Sequence, residues 1–277
     1  MPTNYQIVPG FFAHEQPGST VQLDPTPPYF GLVSQSWASF TDEIDRLNSV
    51  VLDGTSVKVF FLGRHGQGYH NVAASKYGEE AWDAHWSKLT GDGEIVWGPD
   101  PYLTSLGETQ ARDANKAWKR EKANGIPLPE TFYCSPMRRA LHTYQLTWED
   151  IVPPSAGNPM ILENCREVYG EHTCDQRRTR SKIHADFPLH RFEEGFAEED
   201  MLYTTERESE AHAEVRARSV LDTIFAEDQG VTYVSITAHG GIINAFLRVI
   251  GRGDYHLTTG GVMAVVVRQS RTNHDEL

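Results

Sequence analysis

The sequence predicts an α/β protein of three layers, α/β/α, with a mostly parallel central sheet, helices on both faces and insertions capping the site. Short β-branched and aromatic runs alternate along the chain with longer segments of helical spacing, and strands that alternate with helices build parallel sheets covered on both faces. Polar residues and glycines stand directly after three of the apolar runs, at the strand ends beyond which such sheets bind their ligands. With 277 residues, 39% hydrophobic and 23% charged, the chain can bury one sizeable core.

Residues 1–56 are rich in Pro, Gly and aromatics (PGFF, PTPPYF, SWASF) and read as a packed N-terminal arm, with a helix in TDEIDRLNSVV opening at Thr41 and Asp42. Residues 57–62 (VKVFFL) form a short buried strand. Residues 72–100 hold three tryptophans and scattered glycines and read as an insertion. The segment 104–124 is a helix, opened by Thr-x-x-Gly-Glu and stopped by GIPLP. A strand follows at 131–134, then a helix with Ser135 as N-cap and Pro136 at its first position. After a short strand at 160–162, the charged stretch 164–207 reads as a second insertion. Helix 208–227, strand 232–237, helix 241–250 and strand 261–267 complete the chain, which is expected to be a single domain over 1–277.

Composition narrows the function. A formal charge of −13 argues against a nucleic-acid duplex or an anionic membrane as partner, because neutralising phosphates takes Lys and Arg. The start, MPTNYQIVPGFFAHEQ, has no positive n-region or apolar h-region, and no stretch reaches membrane-spanning length. Three cysteines, Cys134, Cys165 and Cys174, cannot all pair within the chain and are too few for a disulfide scaffold of this size. The expectation is a cytoplasmic enzyme acting on a small molecule, with no cofactor and no metal.

The three strand ends are GRHG after 57–62, CSPMRRA after 131–134 and AHGG after 232–237. His65 stands where a strand stops, beside glycines that let backbone approach a ligand, and Arg64 supplies a planar fork that matches phosphate oxygens. A nucleophilic imidazole with arginines points to phosphoryl transfer. In this order RHGQGYHN, LTSLGETQA, SPMRRA, the Glu of CREVYG and TAHGG resemble the histidine phosphatase, or phosphoglycerate mutase-like, superfamily over residues 57–267. FLGRHGQGYHN with YGEHTCDQRR is most similar to its fungal phosphomutase-like subgroup.

That resemblance implies roles by position. His65 becomes the nucleophile and His239 a phosphate ligand beside it, Arg64 and Arg139 become clamps, and Asn71 and Gly240 line the phosphate pocket. Glu167 becomes the proton donor to the leaving oxygen. It stands three residues before Gly170 rather than the family's four, and Glu163 and Glu171 are nearby alternatives. Such an acid needs a carboxyl kept protonated by a low-dielectric site and the incoming phosphate's charge.

Other motifs weigh less. Cys174 and Arg180 fit Cys-x5-Arg, but DQRRT between them has no glycine to form an anion-cradling nest. The Arg177, Arg178, Arg180, Lys182 run reads as a solvated face, or else as extra cations for a second anionic group over the pocket. Trp82, Trp86 and Trp97 read as packing for the first insertion. A phosphomonoesterase, a phosphomutase and an idle binding module are the three functions compatible with the motifs. The retained nucleophile disfavours the last, and the departure of RHGQGYHN from the RHGQSxWN of glycolytic mutases favours the first.

Overall fold

The computed structural model describes residues 3–15, 24–50, 55–153 and 158–271. Along the chain stand β1 (Thr3–Ile7), α1 (Trp37–Ser49), β2 (Ser56–Arg64), α2 (Tyr69–Tyr77), α3 (Glu79–Ala84), α4 (Ser105–Ala123), β3 (Thr131–Cys134) and α5 (Arg138–Trp148). β4 (Met160–Ile161), α6 (Arg180–Asp186), β5 (Arg191–Phe192), α7 (Glu210–Glu227), β6 (Tyr233–Ala238), α8 (Gly240–Val249) and β7 (Val262–Arg271) follow. The strands form one sheet of order β1-β7-β2-β6-β3-β4-β5. The pairs β2–β6, β6–β3, β3–β4 and β4–β5 are parallel. The exception is one edge, where β7 runs antiparallel to β2 and β1 antiparallel to β7. The N-terminal arm therefore supplies an edge strand, which its composition did not announce; its residues 1–2, 16–23 and 51–54 lie outside the described residues.

Alternation along the strands divides the core into two layers. Val57, Val59 and Phe61 face Trp37, Phe40 and Ile44 of α1, Trp118 of α4, and Leu141 and Trp148 of α5. Phe60, Leu62, Val234 and Ile236 face Val220 and Ile224 of α7 and Ile243, Phe246 and Leu247 of α8. This is the period-2 rule applied to strands buried on both faces, and each large side chain so buried contributes roughly 1.5–3 kcal/mol.

Two helix starts differ from those the sequence predicts. α1 begins at Trp37, not Thr41: the Ser36 hydroxyl accepts the Ser39 amide at 3.2 Å and caps it, and Trp37, Phe40 and Ile44 form its buried face. α5 begins at Arg138, not after Ser135, because Met137 holds the cap position in extended backbone.

The tryptophans of residues 72–100 pack as expected: Trp82 and Trp97 are buried with Ala73 and Cys174, and Trp86 stacks on Tyr77 with ring centroids 3.9 Å apart. The arginine run departs from a solvated face. Arg177 is buried, its Nε 3.0 and 2.9 Å from the two Glu163 oxygens and its other nitrogens on the carbonyls of Ala197, Glu198 and Glu199. Arg178 pairs with Asp100 and Asp186, so that only Arg180 and Lys182 are exposed. Cations read as surface in a charged stretch are here the internal ties of a loop with little apolar content.

Candidate active site

The sheet register assembles the site. Arg64 pairs with Ala238 and Cys134 with Thr237, so His65, Ser135 and His239 leave three neighbouring strands at one level. The His65 amide donates to the Ala238 carbonyl and the Ser135 amide to the Thr237 carbonyl, both at 3.0 Å, and carry the pairing past the strand ends.

His65 is 1% exposed. Its Nδ1 lies 2.7 Å from the Gly66 carbonyl, which can only accept, so the proton is assigned to Nδ1 and the lone pair to Nε2. Burial above all, then the guanidiniums of Arg139 and Arg64, hold this imidazole well below its usual range. The backbone is pinned around it. A Cβ on Gly66 would stand 2.2 Å from the Gly107 carbonyl oxygen, and one on Gly107 would stand 2.1 Å from that of Gln67, so the loop and the first turn of α4 cross in direct backbone contact. The Gly66 amide donates to Thr143 Oγ1 at 3.0 Å, and that hydroxyl donates to the Arg139 carbonyl at 2.7 Å.

Arg139 is fully buried; its Nη1 reaches the Cys174 carbonyl at 2.8 Å and its Nη2 reaches Asp175 at 2.9 Å. Asp175 also receives Arg207 at 2.8 Å. Burial lowers the Arg64 guanidinium from its ordinary value, Glu167 raises it and Arg139 lowers it further. Arg64 donates to the Leu257 carbonyl at 2.7 Å and lies against Gly240. The His239 ring stands 4.9 Å from that of His65, edge to face. Asn71 takes the Gly68 amide on its side-chain oxygen at 2.9 Å, which leaves its NH2 as the group able to serve a ligand.

The three carboxylates of ENCREVYGE, residues 163–171, separate cleanly. Glu163 is bonded to Arg166 and Arg177, and Glu171 to Lys88. Glu167 instead meets the first turn of α8, taking the Gly241 amide on Oε2 and the Ile242 amide on Oε1, each at 3.2 Å. Arg216 of α7 holds its loop by the carbonyls of Asn164, Arg166 and Glu167.

Sequence reasoning missed five residues here: Ser135, Thr143, Asp175, Arg207 and His70. The His70 ring stands 5.3 Å from that of His65, and burial, then Arg139, keeps it well below the usual imidazole range. Its place inside RHGQGYHN was the available signal. Cys174 is buried with its thiol pushed well up by burial, the opposite of a nucleophilic thiolate.

The model of the histidine phosphatase superfamily (branch 1) matches residues 60–259. The chain is 40% identical over 284 residues to "Probable phosphoglycerate mutase" of Arthroderma benhamiae, covering 96% of this chain and 84% of that protein. It is 35% identical to "Phosphomutase-like protein 3" of Candida albicans, over 96% of this chain and 80% of that one. Its identity to a Saccharomyces cerevisiae protein also named "Probable phosphoglycerate mutase" is 34%, over 95% of both. With strand-end histidines and arginines in the family's order and a family model spanning most of its length, the chain belongs to the histidine phosphatase superfamily, branch 1, and groups there with fungal phosphomutase-like proteins.

Proposed function

We propose that the chain is a phosphomonoesterase that hydrolyses a small organic phosphate through a phosphohistidine on His65, without a metal ion. The observation that carries this is the 2.7 Å contact of His65 Nδ1 with the Gly66 carbonyl, which leaves a neutral Nε2 with its lone pair beside Arg64, Arg139 and His239. Nε2 attacks phosphorus as the ester P–O bond breaks, and Glu167 gives its proton to the leaving oxygen. Water then attacks phosphorus, the P–N bond breaks, the water proton passes to Glu167 and inorganic phosphate leaves.

The uncatalysed barrier is among the highest known, and positioning with charge stabilisation must supply most of its reduction. Two guanidiniums around the equatorial oxygens supply the charge and His239 a hydrogen bond; a positioned acid adds roughly 10² to 10⁴. His65, Arg64, Arg139, His239 and Glu167 are the proposed catalytic residues, with Asn71 and Gly240 as phosphate contacts. We read the chain as one domain, with 72–100 and 164–207 as walls of the site: Lys88 pairs with Glu171, Thr173 donates to carbonyls of the first segment, and Asp175 meets Arg139. A cytoplasmic location fits the three buried, unpaired cysteines. Among the described residues no helix is long and apolar enough to cross a membrane.

The names of the fungal relatives favour a second reading, a phosphoglycerate-type phosphomutase that returns the phosphoryl group to its substrate. Rapid quench with a radiolabelled phosphate ester decides both. An acid-labile phosphoenzyme absent from His65→Ala, followed by free phosphate, is expected. Conversion of 3-phosphoglycerate to 2-phosphoglycerate without net phosphate release would establish the mutase instead, and turnover retained in His65→Ala would remove the phosphohistidine. Chelation with EDTA is expected to leave the rate unchanged.

A further inference from the structure

We propose that Ser135 is a positioning residue that fixes the tautomer of His239, so that the imidazole presents Nδ1–H as a donor to a phosphoryl oxygen. The ligand named rests on the phosphatase reading above; the tautomer rests on donor and acceptor counting alone.

Ser135 is fully buried, with its Oγ 2.7 Å from His239 Nε2. The same oxygen accepts the Met137 amide at 3.2 Å. Among the described residues these two groups are its hydrogen-bond partners. A hydroxyl carries one proton that needs an acceptor, and the Met137 N–H cannot accept. The proton therefore goes to His239 Nε2. A ring nitrogen that accepts is unprotonated, so in the neutral imidazole the proton sits on Nδ1. The reverse tautomer would leave the Ser135 hydroxyl proton and the Nδ1 lone pair both unmet in a buried site.

His239 is itself fully buried, and among the described residues its Nδ1 has no partner, although buried ring nitrogens are ordinarily bonded. The ring stands edge to face with His65, within the electrostatic reach of Arg64 and Arg139. An unmet N–H beside two guanidiniums and a nucleophile suits one kind of guest, an oxyanion. Burial first, then Arg139, keeps the imidazole neutral, so the tautomer decides which nitrogen donates. Pro136 assists, because the residue before a proline is confined to extended backbone.

Long-range proton–nitrogen spectra of the 15N-labelled full chain read the tautomer directly, with the His239 signals assigned by their loss in His239→Gln. The wild type is expected to show a protonated Nδ1 and an unprotonated Nε2. In Ser135→Ala, Nε2 is expected to gain proton occupancy, vanadate to bind about tenfold more weakly, the loss of one charge-assisted hydrogen bond, and the melting temperature to stay near wild type. Ser135→Thr, which restores the hydroxyl, is expected to recover the Nδ1–H signature. A wild-type spectrum with protonated Nε2 overturns the proposal, as does Ser135→Ala with unchanged tautomer and vanadate affinity. Should Ser135→Ala not fold, the wild-type spectrum alone decides. Failure of the wild type to bind vanadate would sink the phosphate-site reading and the donor role with it, while the spectrum still judges whether Ser135 sets the ring.

Discussion

Glu167 and Gly241 are in contact at the first turn of α8: the Gly241 amide donates to Glu167 Oε2 at 3.2 Å, and a Cβ on Gly241 would stand 2.3 Å from Oε1. The second glycine of AHGG is thus the floor on which the carboxylate rests. Gly241→Ala must push the carboxyl aside, and a displacement near 1 Å costs up to about 10²-fold in rate. The expected result is a lower kcat toward alkyl phosphates with vanadate affinity within about twofold of wild type. A wild-type kcat in that variant would remove Glu167 from the reaction.

Glu167→Gln separates acid catalysis from positioning. Alkyl phosphates leave as basic alkoxides and should lose roughly 10² to 10⁴ in turnover, whereas p-nitrophenyl phosphate, whose phenolate leaves without help, should lose much less. Glu163→Gln breaks its pairs with Arg166 and Arg177 and should lower the melting temperature with no leaving-group dependence. Glu171→Gln removes a half-exposed tie to Lys88 and should do little. Equal losses on both substrate types in Glu167→Gln would leave it a positioning role only.

Gly107→Ala is expected to damage activity from outside the ligand site. Its Cβ would meet the Gln67 carbonyl oxygen at 2.1 Å, a backbone atom that cannot swing away, so the loop carrying His65 must move. Overpacking of this kind costs on the order of 1–3 kcal/mol. A lowered melting temperature with a fall in kcat should be seen together; a neutral substitution would mean that the loop yields without cost.

Stability should fall on mild acidification. Burial lowers His14 and His190 to about 4 and sets His65, His70 and His239 well below the usual range. Unfolded histidines titrate near 6.5, so below that pH the unfolded chain binds protons that the native state refuses. Stability is complete above about pH 6.5 and declines as pH falls toward 4, by up to about 1.4 kcal/mol per pH unit for each such group. His190, whose ring nitrogens both lack partners among the described residues, isolates the effect. His190→Leu should reduce the loss in melting temperature between pH 7 and pH 5, and an unchanged slope would contradict this origin.

The sequence exposed what depends on strand chemistry and left hidden what depends on partners. VKVFFL and TYVSIT announced buried strands, and the residues after them announced the site, because Arg, His and Gly set at once behind an apolar run place anion-binding groups at the mouth of a sheet. The role of Ser135 was masked by Pro136, since Ser-Pro is also a helix start. Arg177 looked solvated because charge in a polar stretch gives no hint of the carboxylate it will meet. Asp175 and Arg207 were invisible for the same reason: their partners lie far away in sequence, and no periodicity encodes a long-range ion pair.

The register of β2 against β6 and of β6 against β3 has a consequence for how such a protein can change. Side chains switch faces at each residue of a strand, so adding or deleting one residue in these strands would turn the histidines away from one another and end the chemistry at a stroke. Outside Arg191–Phe192 of β5, the segments 72–100 and 164–207 lie off the sheet and answer to no such parity. Those segments can be lengthened residue by residue, while the strands that carry the histidines admit substitutions but no change of length.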